Sequence, residues 1–146
     1  MKLKKTLAWI GAVLAVLIGL RVSVALIWPT INDVQTGATK EYPEIQPQRF
    51  KQPYDRVFGA ALATAQAEGW EVTAKDPGKG EIRAVSTTAV FRFKDDVTIM
   101  LLREGDGVRV DVRSRSRVGL GDFGTNARRI LRFQAELARQ MGVATG

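Results

Sequence analysis

The chain has no cysteine and no histidine in 146 residues. Without cysteine there are no disulfides, no thiolate nucleophiles and no thiolate metal sites. Without histidine there is no Ser-His-Asp triad, no imidazole acid–base work and none of the usual zinc or copper ligation. Asp, Glu, Lys, Arg, Ser, Thr and Tyr are left for chemistry. From them the sequence assembles no catalytic residue set, no metal site and no cofactor motif. Proline is scarce outside one stretch: four of the five, Pro29, Pro43, Pro47 and Pro53, fall within residues 29–53. The length allows one domain of ordinary size.

The net charge of +7 is uneven. Residues 1–30 carry Lys2, Lys4, Lys5 and Arg21 and no acid, a net of +4. Residues 31–106 sum to −2. Residues 107–146 sum to +5, and all their basic residues are arginines. The basic balance is therefore an N-terminal cluster plus a C-terminal arginine field.

Lys2, Lys4 and Lys5 precede an apolar run, Leu7–Leu20, followed by Arg21 and a second apolar stretch to Trp28. As a signal peptide, Leu7–Leu20 serves as the h-region and Ser23-Val24-Ala25 supplies small residues for cleavage. As a membrane anchor, residues 7–28 span roughly 33 Å of helix, with Trp9 and Trp28 at the two interfaces. The anchor is the preferred expectation. The leading lysines put the N-terminus in the cytoplasm and the remainder outside a bacterial inner membrane, in the periplasm. The organisation expected is an anchor or signal peptide over 1–30, a proline-rich linker over 31–52 and a globular domain over 53–146.

Within that domain Tyr54, Val57, Phe58, Ala61, Leu62 and Ala65 form one helical stripe, started at Pro53 and stopped at Gly69. Asp76-Pro77-Gly78-Lys79-Gly80 is a turn. Glu81–Phe93 is rich in strand formers, with a bulge or bend expected at 86–89. Lys94-Asp95-Asp96 reads as a polar break. Val97–Leu102 reads as an inner strand covered on both faces or close to it. After a Glu104–Gly107 turn, Val108, Val110 and Val112 alternate with Arg109, Asp111 and Arg113. Asp122 caps a second helix whose stripe runs from Phe123 through Ala127, Ile130 and Leu137 to Met141, with Gly142 as its stop. The expectation is an α+β fold of two layers. An antiparallel meander of about four strands carries an N-terminal and a C-terminal helix on one face, in the manner of a helix-grip domain, behind one transmembrane helix.

Several side chains are candidates for function. Arg109, Arg113, Arg115 and Arg117 share one strand face, where guanidinium forks suit phosphate or carboxylate. The competing reading is an internal ladder satisfied by neighbouring acids such as Asp95, Asp96, Asp111 or Glu81. Asp95 and Asp96, adjacent on extended backbone, face opposite ways. Asn126 sits beside the apolar helical stripe and needs a buried partner or a pocket. The Gly121–Gly124 turn opens a helix but lacks the Lys-Ser/Thr of a phosphate loop. No basic–aromatic motif speaks for nucleic acid.

Tyr42-Pro43, Gly69-Trp70-Glu71, Phe93-Lys94-Asp95-Asp96-Val97, the run Val110–Gly119 with its Arg-Ser-Arg-Ser-Arg, and Asp122-Phe123-Gly124-Thr125-Asn126-Ala127-Arg128-Arg129-Ile130 together resemble the bacterial family known as domain of unknown function 1499. The resemblance covers about residues 32–141. It implies no activity, but it singles out the Asp–Asp segment, the arginine strand and the helix start that holds Asn126 and Arg129. The functional expectation is a non-enzymatic binding module that meets an anionic lipid or an acidic envelope protein through the arginine strand. The alternative is a small-ligand or lipid pocket between helices and sheet, and the third reading is a histidine-free enzyme using Asp95, Asp96 or Ser/Lys chemistry.

Overall fold

The computed structural model describes residues 2–27 and 29–143. The first element is helix α1, Lys2–Ile27. The expectation of a transmembrane helix is corrected here: among the described residues no helix is long and apolar enough to cross a membrane. The sequence of α1 explains why. Lys2, Lys4 and Lys5 fall inside the helix, and Arg21 and Ser23 interrupt its apolar run near the end. The unbroken apolar stretch is Leu7–Leu20, about 21 Å of helix against a hydrocarbon core of about 30 Å. Ser23 donates its hydroxyl to the Gly19 carbonyl at 2.9 Å. Trp28, half of the expected aromatic bracket, lies outside the described residues.

The rest is an α+β arrangement around one antiparallel sheet. The long strands are β3 (Glu71–Asp76), β4 (Glu81–Thr87), β5 (Lys94–Glu104) and β6 (Gly107–Ser116), joined as the expected meander. The sheet nevertheless has six strands, not four. Two short strands, β1 (Asp33–Gln35) and β2 (Gln48–Phe50), come from the proline-rich stretch and both pair with the free edge of β6. Proline blocks ladder donors only at its own position. The three-residue runs between the prolines keep theirs, and the Val34 and Ile45 side chains are fully buried. Thr36 and Gly37 continue the ties, donating their N–H groups to the Val112 and Ile45 carbonyls at 3.0 and 2.8 Å.

Helices α2 (Tyr54–Ala67) and α3 (Thr125–Met141) pack on each other and on the sheet. Val57, Ala61 and Ala65 of α2 and Ile130, Phe133 and Leu137 of α3 meet Ile82, Ile99, Val110 and Val112 in one core. The Trp70 and Phe133 rings stack at 5.4 Å between centroids. Strand β5 is covered on one face, not both: Asp95, Val97, Ile99 and Leu101 are buried while Leu102 is exposed. The polar break expected at Lys94–Asp96 is part of β5. Residues 88–93 make the turn instead, closed by Thr88 N–H to the Phe93 carbonyl at 2.8 Å and Phe93 N–H to Thr88 Oγ1 at 2.9 Å. The bend expected at 86–89 is the start of this turn, while the sheet's register irregularity lies between Val72 and Ala74 of β3. Helix α3 starts two residues after Phe123, yet Asp122 still serves its start: the carboxylate accepts from the Gly124 and Asn126 N–H groups at 2.9 and 2.7 Å.

Gly80 closes the β3–β4 turn against β5. Its φ is +72°, and a Cβ there would stand 2.1 Å from the Leu101 carbonyl oxygen. Gly105 has φ +58° but open space around it. Gly80→Ala therefore combines left-handed strain with a backbone clash, whereas Gly105→Ala carries the strain alone, about 1–2 kcal/mol. Urea unfolding should show Gly80→Ala losing clearly more stability than Gly105→Ala. Equal losses would mean that β5 does not press on this turn.

Candidate functional site

The period-2 geometry of β5 and β6 sends Asp95, Ser114 and Ser116 to the helix-covered face, and Asp96 and the arginines to the other. One turn apart on α3, Asn126 and Arg129 lie over the inner set. Arg129 donates through Nη2 to Asp95 Oδ2 at 2.5 Å, and through Nη1 to Ser114 Oγ at 2.8 Å and Asn126 Oδ1 at 2.7 Å. Ser114 donates to the same Asn126 oxygen at 2.6 Å. Asn126 Nδ2 donates to the Asn32 carbonyl at 3.0 Å and to Ser116 Oγ at 2.9 Å. Asp95 and Arg129 are 2 % and 3 % exposed, so this is a desolvated ion pair held in a polar network. Arg129 Nε is buried without a partner.

On the open face the arginines of β6 meet acids. Arg109 forks onto Asp111 at 2.7 and 3.1 Å, Arg113 onto Asp33 at 2.9 and 2.5 Å, and Arg117 onto one oxygen of Asp96 at 3.0 and 2.6 Å. Arg115 is held most loosely, 4.0 Å from Asp33 with its side chain 63 % exposed. Hydrogen bonding from Arg113 holds the Asp33 carboxyl below its ordinary range, and Arg117 does the same to Asp96. The structure thus splits Asp95 from Asp96: one meets Arg129 on the inner face, the other Arg117 on the outer.

Where the inner network reaches the end of the sheet, a cavity of about 430 Å³ opens between the 88–93 turn and the segment that links β6 to α3. Asp95 and Ser116 form its floor, and Val90, Phe91, Phe93, Val118 and Phe123 are among its walls. Phe91 and Phe123 are 73 % and 63 % exposed, and the Phe91 and Phe93 rings stack at 5.5 Å. Each bordering segment holds a non-glycine residue at positive φ: Arg92 at +56° and Phe123 at +52°. Among the described residues no cluster of three or more acids is placed to hold a metal ion. Sequence reasoning missed these wall residues. Their signal is present in the chain: large apolar side chains at Val90, Phe91, Val118 and Phe123 stand in segments that turn, where polar residues are the norm.

The family model described as protein of unknown function, DUF1499, matches residues 23–137. The chain belongs to the DUF1499 family. That match takes in the inner network, the arginine strand and the cavity of this DUF1499 domain. No curated protein matches the chain. Solved structures similar to it include two proteins of low sequence identity. TTHA0849 from Thermus thermophilus is 16 % identical, with 78 % of this chain and 99 % of that one covered and a TM-score of 0.39. CalU16 from Micromonospora echinospora is 18 % identical, with 66 % and 78 % covered and a TM-score of 0.34.

Removing one partner of a buried ion pair strands the other charge, a loss of about 3–5 kcal/mol. Arg129→Met should destabilise the DUF1499 domain by that amount in urea unfolding, and adding Asp95→Asn should restore part of it. A loss under about 1 kcal/mol, the range of an exposed pair, would show that the pair is not what fixes α3 on the sheet.

The paired carboxylates also set the response to acid. Glu136 shows it in numbers: hydrogen bonds from Arg139 and Gln140 lower its pKa from 4.5 to about 2. A carboxyl whose folded pKa is lowered stabilises the fold above its unfolded pKa, and that contribution disappears as pH falls through the folded value. Stability contributed by Asp33, Asp96 and Glu136 should therefore hold at neutral pH and drain away below about pH 4. Carboxyl NMR should find Glu136 titrating near 2 and returning toward 4.5 in Arg139→Gln. An unchanged titration in that variant would remove Arg139 as the cause.

Proposed function

We propose that this domain binds a small, largely apolar molecule in the cavity between residues 88–93 and 117–124, and that it does so without catalysis. The observation that carries this reading is Phe123. A bulky residue at φ +52° is strained, by about 1–2 kcal/mol in the left-handed region. The strain keeps an aromatic ring at the cavity wall and exposed to solvent, two unfavourable features at one position. Strain concentrated beside a pocket with apolar walls and a few polar groups at its floor is the pattern of a ligand site.

The carboxylates at the cavity support binding over chemistry. Asp95 is engaged by Arg129, and Asp122 by two backbone N–H groups, so neither is poised as a base. The arginine strand supports an anionic partner less well, because Asp111, Asp33 and Asp96 already occupy three of its four forks. We further place the domain outside the cytoplasm, supported by the lysine-led apolar stretch Leu7–Leu20, which has the length of a signal-peptide core.

N-phenyl-1-naphthylamine, an uncharged apolar fluorophore, tests the pocket. Its fluorescence should rise saturably with the protein. Asparagine tolerates left-handed backbone, so Phe123→Asn removes the ring while relieving strain. That variant should bind the fluorophore at least about tenfold more weakly, the equivalent of about 1.4 kcal/mol, with an equal or higher Tm. Charge reversal at Arg115 should leave binding unchanged. Absence of binding, or binding indifferent to Phe123→Asn, would sink the reading.

A further inference from the structure

The charges around the cavity sort possible ligands. Its lining contains two charged side chains, Asp95 and Asp122, and both are acids. Of the arginines around the cavity, Arg92 of the 88–93 turn is exposed and outside the lining, and the other three are held by other groups. Arg129, behind Asp95, is engaged by Asp95, Ser114 and Asn126. Arg117 is forked onto Asp96 on the opposite face of the sheet, and Arg128 donates to the Phe123 carbonyl. Asp95 is balanced by Arg129. Asp122 accepts from the N–H groups of Gly124 and Asn126 at the positive end of α3. The lining therefore offers carboxylate oxygens but no cation for a ligand's acid group.

The hydroxyls at the cavity do not themselves discriminate, since each keeps an O–H to donate and a lone pair to accept. Ser116 Oγ accepts from Asn126 Nδ2, and Thr88 Oγ1 accepts from the Phe93 N–H. A carboxylate or phosphate entering here would be desolvated beside the Asp122 carboxylate, with Asp95 already neutralised by Arg129 and no cation in the lining to offset the cost. A hydroxyl or amine would instead meet acceptors.

Resting on the pocket reading above, we infer that the ligand is an amphipathic molecule whose polar end is an uncharged or cationic hydrogen-bond donor, and that acids such as fatty acids are excluded. The discrimination lies in Asp122. The apolar body lies against Phe91, Phe93, Val118 and Phe123.

Competition against N-phenyl-1-naphthylamine on the full chain tests this, with decanol, decylamine and decanoate as three probes of one chain length. Decanol and decylamine should displace the fluorophore at concentrations at least about tenfold below decanoate. Asp122→Asn keeps one acceptor for the helix start, so the domain should stay folded. It should narrow the gap between decylamine and decanoate by several-fold. Decanoate competing as well as or better than the other two overturns the inference, as does a gap untouched by Asp122→Asn. In those cases fluorophore binding that still depends on Phe123 leaves the pocket standing. Fluorophore binding that is absent or indifferent to Phe123→Asn overturns both.

Discussion

A guanidinium sealed between a helix and a sheet is tolerable only if every charge and most donors find partners, because a desolvated, unmatched charge is among the most destabilising features a fold can carry. Arg129 meets that demand through Asp95 from β5, Ser114 from β6 and Asn126 from its own helix. Each bond is directional, so together they fix the position of α3 along the sheet more narrowly than the Ile130, Phe133 and Leu137 stripe can. Apolar contacts tolerate small shifts; a charge-assisted fork does not. The network also reaches Asn32, which ties the segment before β1 to the same point.

The edge of β6 has a related logic. One long strand with arginines at alternate positions on its open face would repel itself along its length. The neighbouring strands solve this by what they bring. β1 places Asp33 opposite Arg115 and within reach of Arg113. β5 places Asp96 opposite Arg115 and within reach of Arg117. A strand drawn from the proline-rich stretch thus protects an exposed edge and neutralises part of the arginine face in one step.

Particular residues show how much of this is legible in the sequence. The meander and both helices follow from alternation in Val108–Val112 and from helical stripes at Val57–Ala65 and Ile130–Met141, patterns set by local geometry. β1 and β2 are not legible, because three-residue strands have no period to read and exist only through their partner. The Asp95–Arg129 pair joins residues 34 positions apart, and while helical spacing sets Arg129 one turn after Asn126 beside the apolar stripe, nothing local names Asp95 as its partner. Asp95 and Asp96 look like a turn because acids are rare in strands. The buried cation is what overrides that preference. The N-terminal segment reads as a full span only when its apolar run is carried through Arg21 to Trp28.

The cavity is where local rules and the fold disagree most openly. Ala89–Phe91 has the composition of a strand, yet the chain turns there, and Phe123 sits where glycine or asparagine would be at ease. Neither choice serves stability: exposed rings gain little from burial, and positive φ adds strain. Both segments begin or end next to the rigid inner network, since Asp95 follows the first and Asn126 follows the second within three residues. Rigid support beneath locally unfavourable loops is how a fold holds a shape that its own loop sequence would not choose. The stability invested in the buried ion pair thus has a consequence at the surface, which is to keep aromatic walls apart over a floor of carboxylates and hydroxyls.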